Sequence, residues 1–252
     1  MASVIIKNSI NNNGLGNTLF QLAAAKAVSL RDGVEMTSTI PPGYNEYKDN
    51  ILRNIKISES IQNNIYKEQS FEYNEIPPNV SLDGYFQSEQ YFYDYGGFIY
   101  DMLSPTKEIE DYIDNKYGNI LFNSLGIHIR RGDYIKYPTM HPVCNMEYYS
   151  KAIGLLADKK AYSNYIIFSD DIDWCKDNFS SEFHFIKGEK DYIDMYTMSM
   201  CSDNVIANST FSWWAAWLNR NSDKRVVAPM AWFGKDKKLN TNDLIPKEWI
   251  KI

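Results

Sequence analysis

Close to the N-terminus the apolar positions switch from a continuous run to a helical period. "SVIIK" reads as a short buried strand, and "TLFQLAAAKAVSLRDG" sets Phe20, Ala23, Ala24 and Ala27 on one helical face. Between them "NSINNNGLGN" is polar and carries glycine, which marks a loop. Asn17 is placed to cap the helix and Gly33 to close it. A strand, a glycine loop and a helix in that order open an α/β fold.

Residues 34 to 100 sustain neither period. They hold turn signals at Pro41-Pro42-Gly43 and Pro77-Pro78 and the aromatic stretch "LDGYFQSEQYFYDY". Ser104 and Pro105 then read as the start of a helix over "TKEIEDYIDNKYG" that connects two halves. From residue 120 the alternation resumes. The strands are "NILFNSLGIHI", "NYIIFS", "FHFIKG", "DNVIANS" and "RVVAP"; the helices are "MEYYSKAIGLLADK", "DYIDMYTMSMC" and "STFSWWAAWLNR". The expectation is two α/β lobes hinged near residues 118 to 124. They span residues 1–122 and 123–252, with the last residues packing back on the first lobe.

Composition narrows the partners. A net charge of −6 supplies no global basic field for nucleic acid or anionic membrane, so any phosphate must be held by a local arginine cluster. The 3 cysteines, Cys144, Cys175 and Cys201, lack metal-site spacing and favour reduced thiols. No cationic leader precedes a long apolar stretch, and no apolar run is long enough to span a bilayer. A cytoplasmic chain is expected, free or peripherally associated with a membrane. The 19 tyrosines and 6 tryptophans suit sugar or nucleotide pockets as well as core packing.

Four stretches can carry chemistry. "GLGN" (14–17) is a glycine loop at a helix start, but Leu19 stands where a dinucleotide fingerprint needs its third glycine, so that cofactor is not expected. "HIRRGDY" puts His128, Arg130, Arg131, Gly132 and Asp133 at the carboxyl end of a strand, where open α/β sheets place ligands. Guanidinium groups there match a diphosphate and can neutralise a leaving group without a metal, or they can form ordinary ion pairs. "FSDDIDWC" ends a strand in Asp170, Asp171 and Asp173, which reads as a D-x-D metal site or as helix capping. "ANSTFSWW" sets Asn208, Ser209 and Thr210 at a helix N-terminus suited to an anion. Arg131-Gly132-Asp133 is also an adhesion tripeptide, which would need an exposed loop.

In order, "GLGNTLFQLAAAKAVSL", "DGYFQSEQYF", "HIRRGDY", "FSDDIDWC" and "NSTFSWWAAWLN" closely resemble the α-1,2-fucosyltransferases of glycosyltransferase family 11. The resemblance runs from about residue 8 to about residue 232, and H-x-R-R-G-D-Y with N-S-T-F-S-W-W is its specific part. It implies a GT-B architecture, two Rossmann-like lobes with a cleft between them. It also implies inverting transfer of L-fucose from GDP-β-L-fucose to the 2-hydroxyl of a terminal galactose, with no cofactor and no metal. By the same resemblance Arg130 binds the β-phosphate, with Arg131 and Asn208 in the donor site. His128 and Asp170 lie near the guanine, and Ser209, Thr210 and Phe211 close around the diphosphate and fucose. Asn17, Gln21 and Gln87 face the acceptor. Asp133 is open to two roles, base for the attacking hydroxyl or orienter of the arginines. The chain departs from the family pattern at Asn13, Thr18 and Leu19, on the acceptor side, and its shortness implies trimmed loops within 34–100. The alternatives are a metal-dependent transferase using Asp171 and Asp173, and an adhesion module.

Overall fold

The computed structural model describes residues 2–4, 14–40, 43–58, 64–234 and 239–252. The chain forms two compact units, Met1–Thr106 with Leu239–Pro246, and Lys107–Lys238 with Lys247–Ile252. The division precedes the connecting helix instead of following it at residue 122, because that helix packs within the second unit.

The first unit contains β1 (Ala2–Val4), α1 (Leu15–Asp32), β2 (Met36–Ser38), β3 (Ile65–Lys67), β4 (Ser81–Asp83) and α2 (Gly96–Leu103). Its sheet runs β2-β1-β4-β3 with every pair parallel. The predicted face of α1 is buried, Phe20, Ala23 and Ala24 completely. The expected cap at Asn17 is not what starts this helix. Gly14 turns the chain at φ 77, a conformation glycine adopts without strain, and the helix begins at Leu15 with no side-chain cap. Gly33 closes it as expected, at φ 65 with its N–H turned back to Leu30. Ser104 ends α2 instead of opening the next helix; its hydroxyl bonds the Asp101 carbonyl, and Pro105 stops the helix there. The rest of "SVIIK" and residue Asn13 lie outside the described residues.

The second unit contains α3 (Lys107–Leu121), β5 (Ser124–Ile129), α4 (Met146–Ala157), β6 (Asn164–Ser169), α5 (Ile172–Asn178), β7 (His184–Phe185), α6 (Asp191–Ser199), β8 (Asp203–Val205), α7 (Thr210–Leu218), β9 (Val226–Ala228) and β10 (Ile250–Lys251). The strand expected over "NILFNSLGIHI" is shorter at its start. Residues 119–121 stay helical through Gly118, and Asn123 at φ 48 makes the turn into β5. All six strands are parallel in the order β10-β9-β8-β5-β6-β7. Counted from β5, this is the 3-2-1-4-5-6 doubly wound order, whose switch point falls between β5 and β8. Leu125, Ile127 and Ile129 pack with Tyr149, Ala152 and Leu156 of α4. α7 contributes the fully buried Trp213 and Trp214, each worth about 2–3 kcal/mol by burial. Lys247–Ile252 returns to this unit through β10, so only Leu239–Pro246 groups with the first.

Candidate active site

Parallel strands deliver whatever follows their last residue to one edge of the sheet. In the second unit β5 delivers Arg130 to Asp133, its neighbour β6 delivers Asp170 and Asp171, and β8 on the other side delivers Asn208 to Phe211. The β5 and β8 loops flank the switch point, where doubly wound sheets hold ligands.

Arg130 is clamped from two sides. Its Nη2 lies 2.6 Å from Asp133 Oδ1 and its Nη1 3.1 Å from Asp170 Oδ2, with the guanidinium 5.3 Å above the Tyr134 ring. Its Nε is buried and has no acceptor among the described residues. A buried donor left unpaired costs free energy that an incoming anion can recover. Arg131 is turned elsewhere. Its Nε bonds Asp171 Oδ2 at 3.0 Å and its guanidinium lies 3.8 Å from the Trp174 ring centroid, while its backbone N–H donates to Asp170 Oδ1. Asp133 pairs with Arg130 in the orienting arrangement.

His128 is 5% exposed, its ring 5.0 Å from Phe211. Burial, reinforced by the Arg130 charge, pushes its pKa down to about 3, so the imidazole is neutral throughout the physiological range. Its Nδ1 is buried without a partner among the described residues. Asn208, expected to touch the donor, is committed to the scaffold. Its Nδ2 donates to the carbonyls of Pro142 at 3.0 Å and Trp232 at 2.9 Å, pinning two loops. Its carbonyl accepts the Tyr134 hydroxyl at 2.9 Å, which ties the β5 loop to the β8 loop. Ser209 is the N-cap of α7 but makes no side-chain cap, so the first amides of the helix, at Thr210 and Phe211, are free to meet an anion.

The D-x-D triplet is occupied by its neighbours. Asp171 caps α5 through the Trp174 N–H and pairs with Arg131, while Asp173 pairs with Lys187 at 3.0 Å. Among the described residues no three His, Cys, Asp or Glu side chains converge as a metal site. Gly132 and Asp133 are exposed, as an adhesion loop requires, but Arg131 is folded onto Asp171 and Trp174.

Tyr134, Trp174 and Asp194 have no role in the sequence motifs. The two aromatics follow the arginine and acidic motifs directly and are the surfaces on which the two guanidiniums rest. Asp194 gave no signal beyond an acidic first helical turn. α6 leaves β7 and returns to β8, so its first turn lies at the same sheet edge. There Asp194 Oδ1 is buried with no donor among the described residues. Burial, followed by the charges of Glu189 and Asp191, pushes this carboxyl up to about 7.

In the first unit, the expected acceptor residues meet. Gln87 Nε2 donates to Asn17 Oδ1 at 2.9 Å, and Gln21 Nε2 to the Gly84 carbonyl at 2.7 Å. The side-chain carbonyl oxygens of both glutamines are buried and unpaired among the described residues, as is the Thr18 hydroxyl. Glu68 supports the loop beneath them by accepting the N–H groups of Tyr85 and Phe86.

The profile of glycosyl transferase family 11 matches residues 2–252. The chain belongs to glycosyltransferase family 11. An alpha-1,2-colitosyltransferase of Escherichia coli is 33% identical over 69% of this chain and 63% of its own. The O-antigen biosynthesis glycosyltransferase WbnK, also of Escherichia coli, is 42% identical over 60% and 55%. Bovine galactoside 2-alpha-L-fucosyltransferase SEC1 is 25% identical over 83% and 64%. The chain thus spans between 55% and 64% of these family 11 relatives. The crystal structure of fucosyltransferase NodZ from Bradyrhizobium superposes with a TM-score of 0.54, covering 85% of this chain and 91% of that one at 15% identity. That likeness shows a shared fold, the α/β parallel-sheet fold expected from the sequence. Among the described residues, no helix is long and apolar enough to cross a membrane.

Proposed function

We propose that this family 11 enzyme moves L-fucose from GDP-β-L-fucose to the 2-hydroxyl of a terminal galactose in a glycan, with inversion and without a metal. Arg130 carries the reading. It is an oriented cation with an orphaned, buried Nε, at the switch point and beside the N-terminus of α7. Inversion needs the acceptor hydroxyl to attack the anomeric carbon from the face opposite the departing GDP. The largest charge to stabilise is the one that builds on the diphosphate. Arg130 and the first amides of α7 receive it, and the Asp133–Arg130–Asp170 clamp prevents reorganisation while it forms. Neutral His128 and Phe211 wall the site, and Asp194 offers a carboxylate to N–H groups on a guanine edge. Asp133 acts as orienter, and attack on an oxocarbenium-like centre proceeds without a strong base. On the acceptor unit the unpaired carbonyls of Gln21 and Gln87 accept sugar hydroxyls, and Asn17 holds Gln87 in place.

The 2-linkage is supported by the names of the colitosyl and galactoside fucosyl relatives, which share it while differing in the sugar moved. The colitosyltransferase also favours a second reading, with colitose in place of fucose. Transfer assays with both GDP-linked sugars separate the two.

Arg130→Ala is expected to abolish transfer and to weaken GDP binding at least roughly ten-fold in a folded protein, the scale of one charge-assisted contact. Full GDP affinity in that variant would sink the assignment. Transfer should persist in EDTA, and its loss would restore Asp171 and Asp173 as metal ligands.

A further inference from the structure

The first unit holds a concave feature away from the glutamine cluster. A cavity of about 140 Å³ opens between the last turns of α1 and the tyrosine-rich segment that precedes α2. It is lined by Tyr73, Tyr91, Tyr93 and Tyr95, with Arg31, Gln90 and Asp94 as its polar residues. Arg31 and Gln21 lie ten positions apart on α1, which at a helical rise of 1.5 Å per residue separates them by about 15 Å along the axis. A sugar bound by the glutamines cannot reach this cavity with the same ring.

The polar groups are preorganised yet incompletely used. The Arg31 guanidinium forks onto Asp32, at 2.7 Å and 3.2 Å, and donates to the Ile76 carbonyl at 2.6 Å. A guanidinium has five N–H donors, so two remain. Asp243 clamps two walls at once, accepting the Tyr73 N–H at 3.0 Å and the Gln90 amide at 2.9 Å, which leaves the Gln90 carbonyl open. Asp94 is exposed and bonds no other described residue. Tyr91 is 7% exposed and packs on Tyr73 with centroids 5.1 Å apart, whereas Tyr93 is 68% exposed and presents its ring to the solvent.

We infer that this cavity is a second carbohydrate site, which holds a sugar residue of the acceptor glycan other than the galactose that is fucosylated. At about 140 Å³ the cavity is small beside the ~300–1,000 Å³ pockets that hold drug-sized ligands, which suits a single ring better than a nucleoside diphosphate. Aromatic faces cover the apolar C–H side of a pyranose, while guanidinium, amide and carboxylate bond its vicinal hydroxyls in pairs. An anionic sugar is disfavoured, since Asp32 already pairs with Arg31 while Asp94 lines the cavity and Asp243 holds its walls. The inference rests on the chain acting on glycans, whereas the cavity and its open polar groups do not.

The test is saturation-transfer NMR on the full chain with galactose, glucose, N-acetylglucosamine, N-acetylgalactosamine and rhamnose as separate probes. GDP is included to fill the donor site, and Arg130→Ala is run alongside. At least one sugar is expected to receive saturation, and Tyr93→Ala with Asp94→Ala should weaken its binding at least ten-fold. Both positions are exposed, so the unfolding midpoint should hold. The signal should survive in Arg130→Ala. If none of the sugars binds, or if binding is the same in the double variant, the site is overturned. Undiminished GDP affinity in Arg130→Ala would instead overturn the donor assignment and leave the sugar result standing.

Discussion

Arg130 and Asp194 require opposite partners. One is a buried donor without an acceptor, the other a buried acceptor without a donor, and a nucleoside diphosphate supplies both. Because Asp194 is neutral below about 7 in the free protein, N–H donors that prefer its ionised form bind more weakly as the pH falls. GDP affinity should drop roughly ten-fold from pH 8 to pH 6, as the ionised fraction falls. Asp194→Asn should weaken GDP binding and flatten that profile, and titration calorimetry that finds the same slope in both proteins would remove Asp194 from the site. Gly132 is constrained by space. A Cβ there would lie 2.4 Å from Asp170 Oδ2, so Gly132→Ala must displace the carboxylate that steadies Arg130. Transfer should fall by more than about ten-fold with little change in stability, since a misaimed charge-stabilising donor costs on that scale. Equal kcat in the variant would show that the clamp does not matter.

At the scale of elements, short buried strands are held by side chains that cross them. Asp203 on β8 is 1% exposed and accepts from the Tyr162 hydroxyl and from Arg225. Burial raises its pKa, but these hydrogen bonds outweigh it and leave the carboxyl below its usual value. Its contribution to stability is therefore present above about pH 4, the value in an unfolded chain, and is lost as the pH falls through the lower folded value. Asp203→Ala should cost about 3 kcal/mol at pH 7, the low end for breaking a buried pair because Arg225 keeps some solvent. Urea titrations at pH 7 and pH 3 should show that gap narrowing in acid. Several elements were legible from residue pattern alone, including β6 over the whole of "NYIIFS" and α4 over most of its predicted length. Ser104 misled because a serine before a proline serves a helix start and a helix stop equally well. Asn17 misled because a glycine with positive φ one turn earlier had already entered the helix.

Across the whole molecule, all 6 tryptophans lie in the second unit, at positions 174, 213, 214, 217, 232 and 249. Tryptophan fluorescence therefore reports that unit alone. GDP at a hundred times its Kd should stabilise the tryptophan-detected transition by about 2.7 kcal/mol. A midpoint that ignores GDP would place its site outside this unit.

Local chemistry, readable in one dimension, settled much of this protein. An apolar strand running into His-Ile-Arg-Arg-Gly-Asp-Tyr, and a second running into Asn-Ser-Thr before a tryptophan helix, were enough to set candidate anion-binding groups at strand ends and to point to the family. The chain order could not say that β5 and β8 are neighbours, because parallel strands pair across crossovers whose length carries no address. The family resemblance singled out Arg130 from Arg131, but residue chemistry gave no reason, the two being adjacent and chemically identical. The fold supplies the physical reason, by giving Arg131 an aspartate and a tryptophan and leaving Arg130 a buried donor unmet among the described residues.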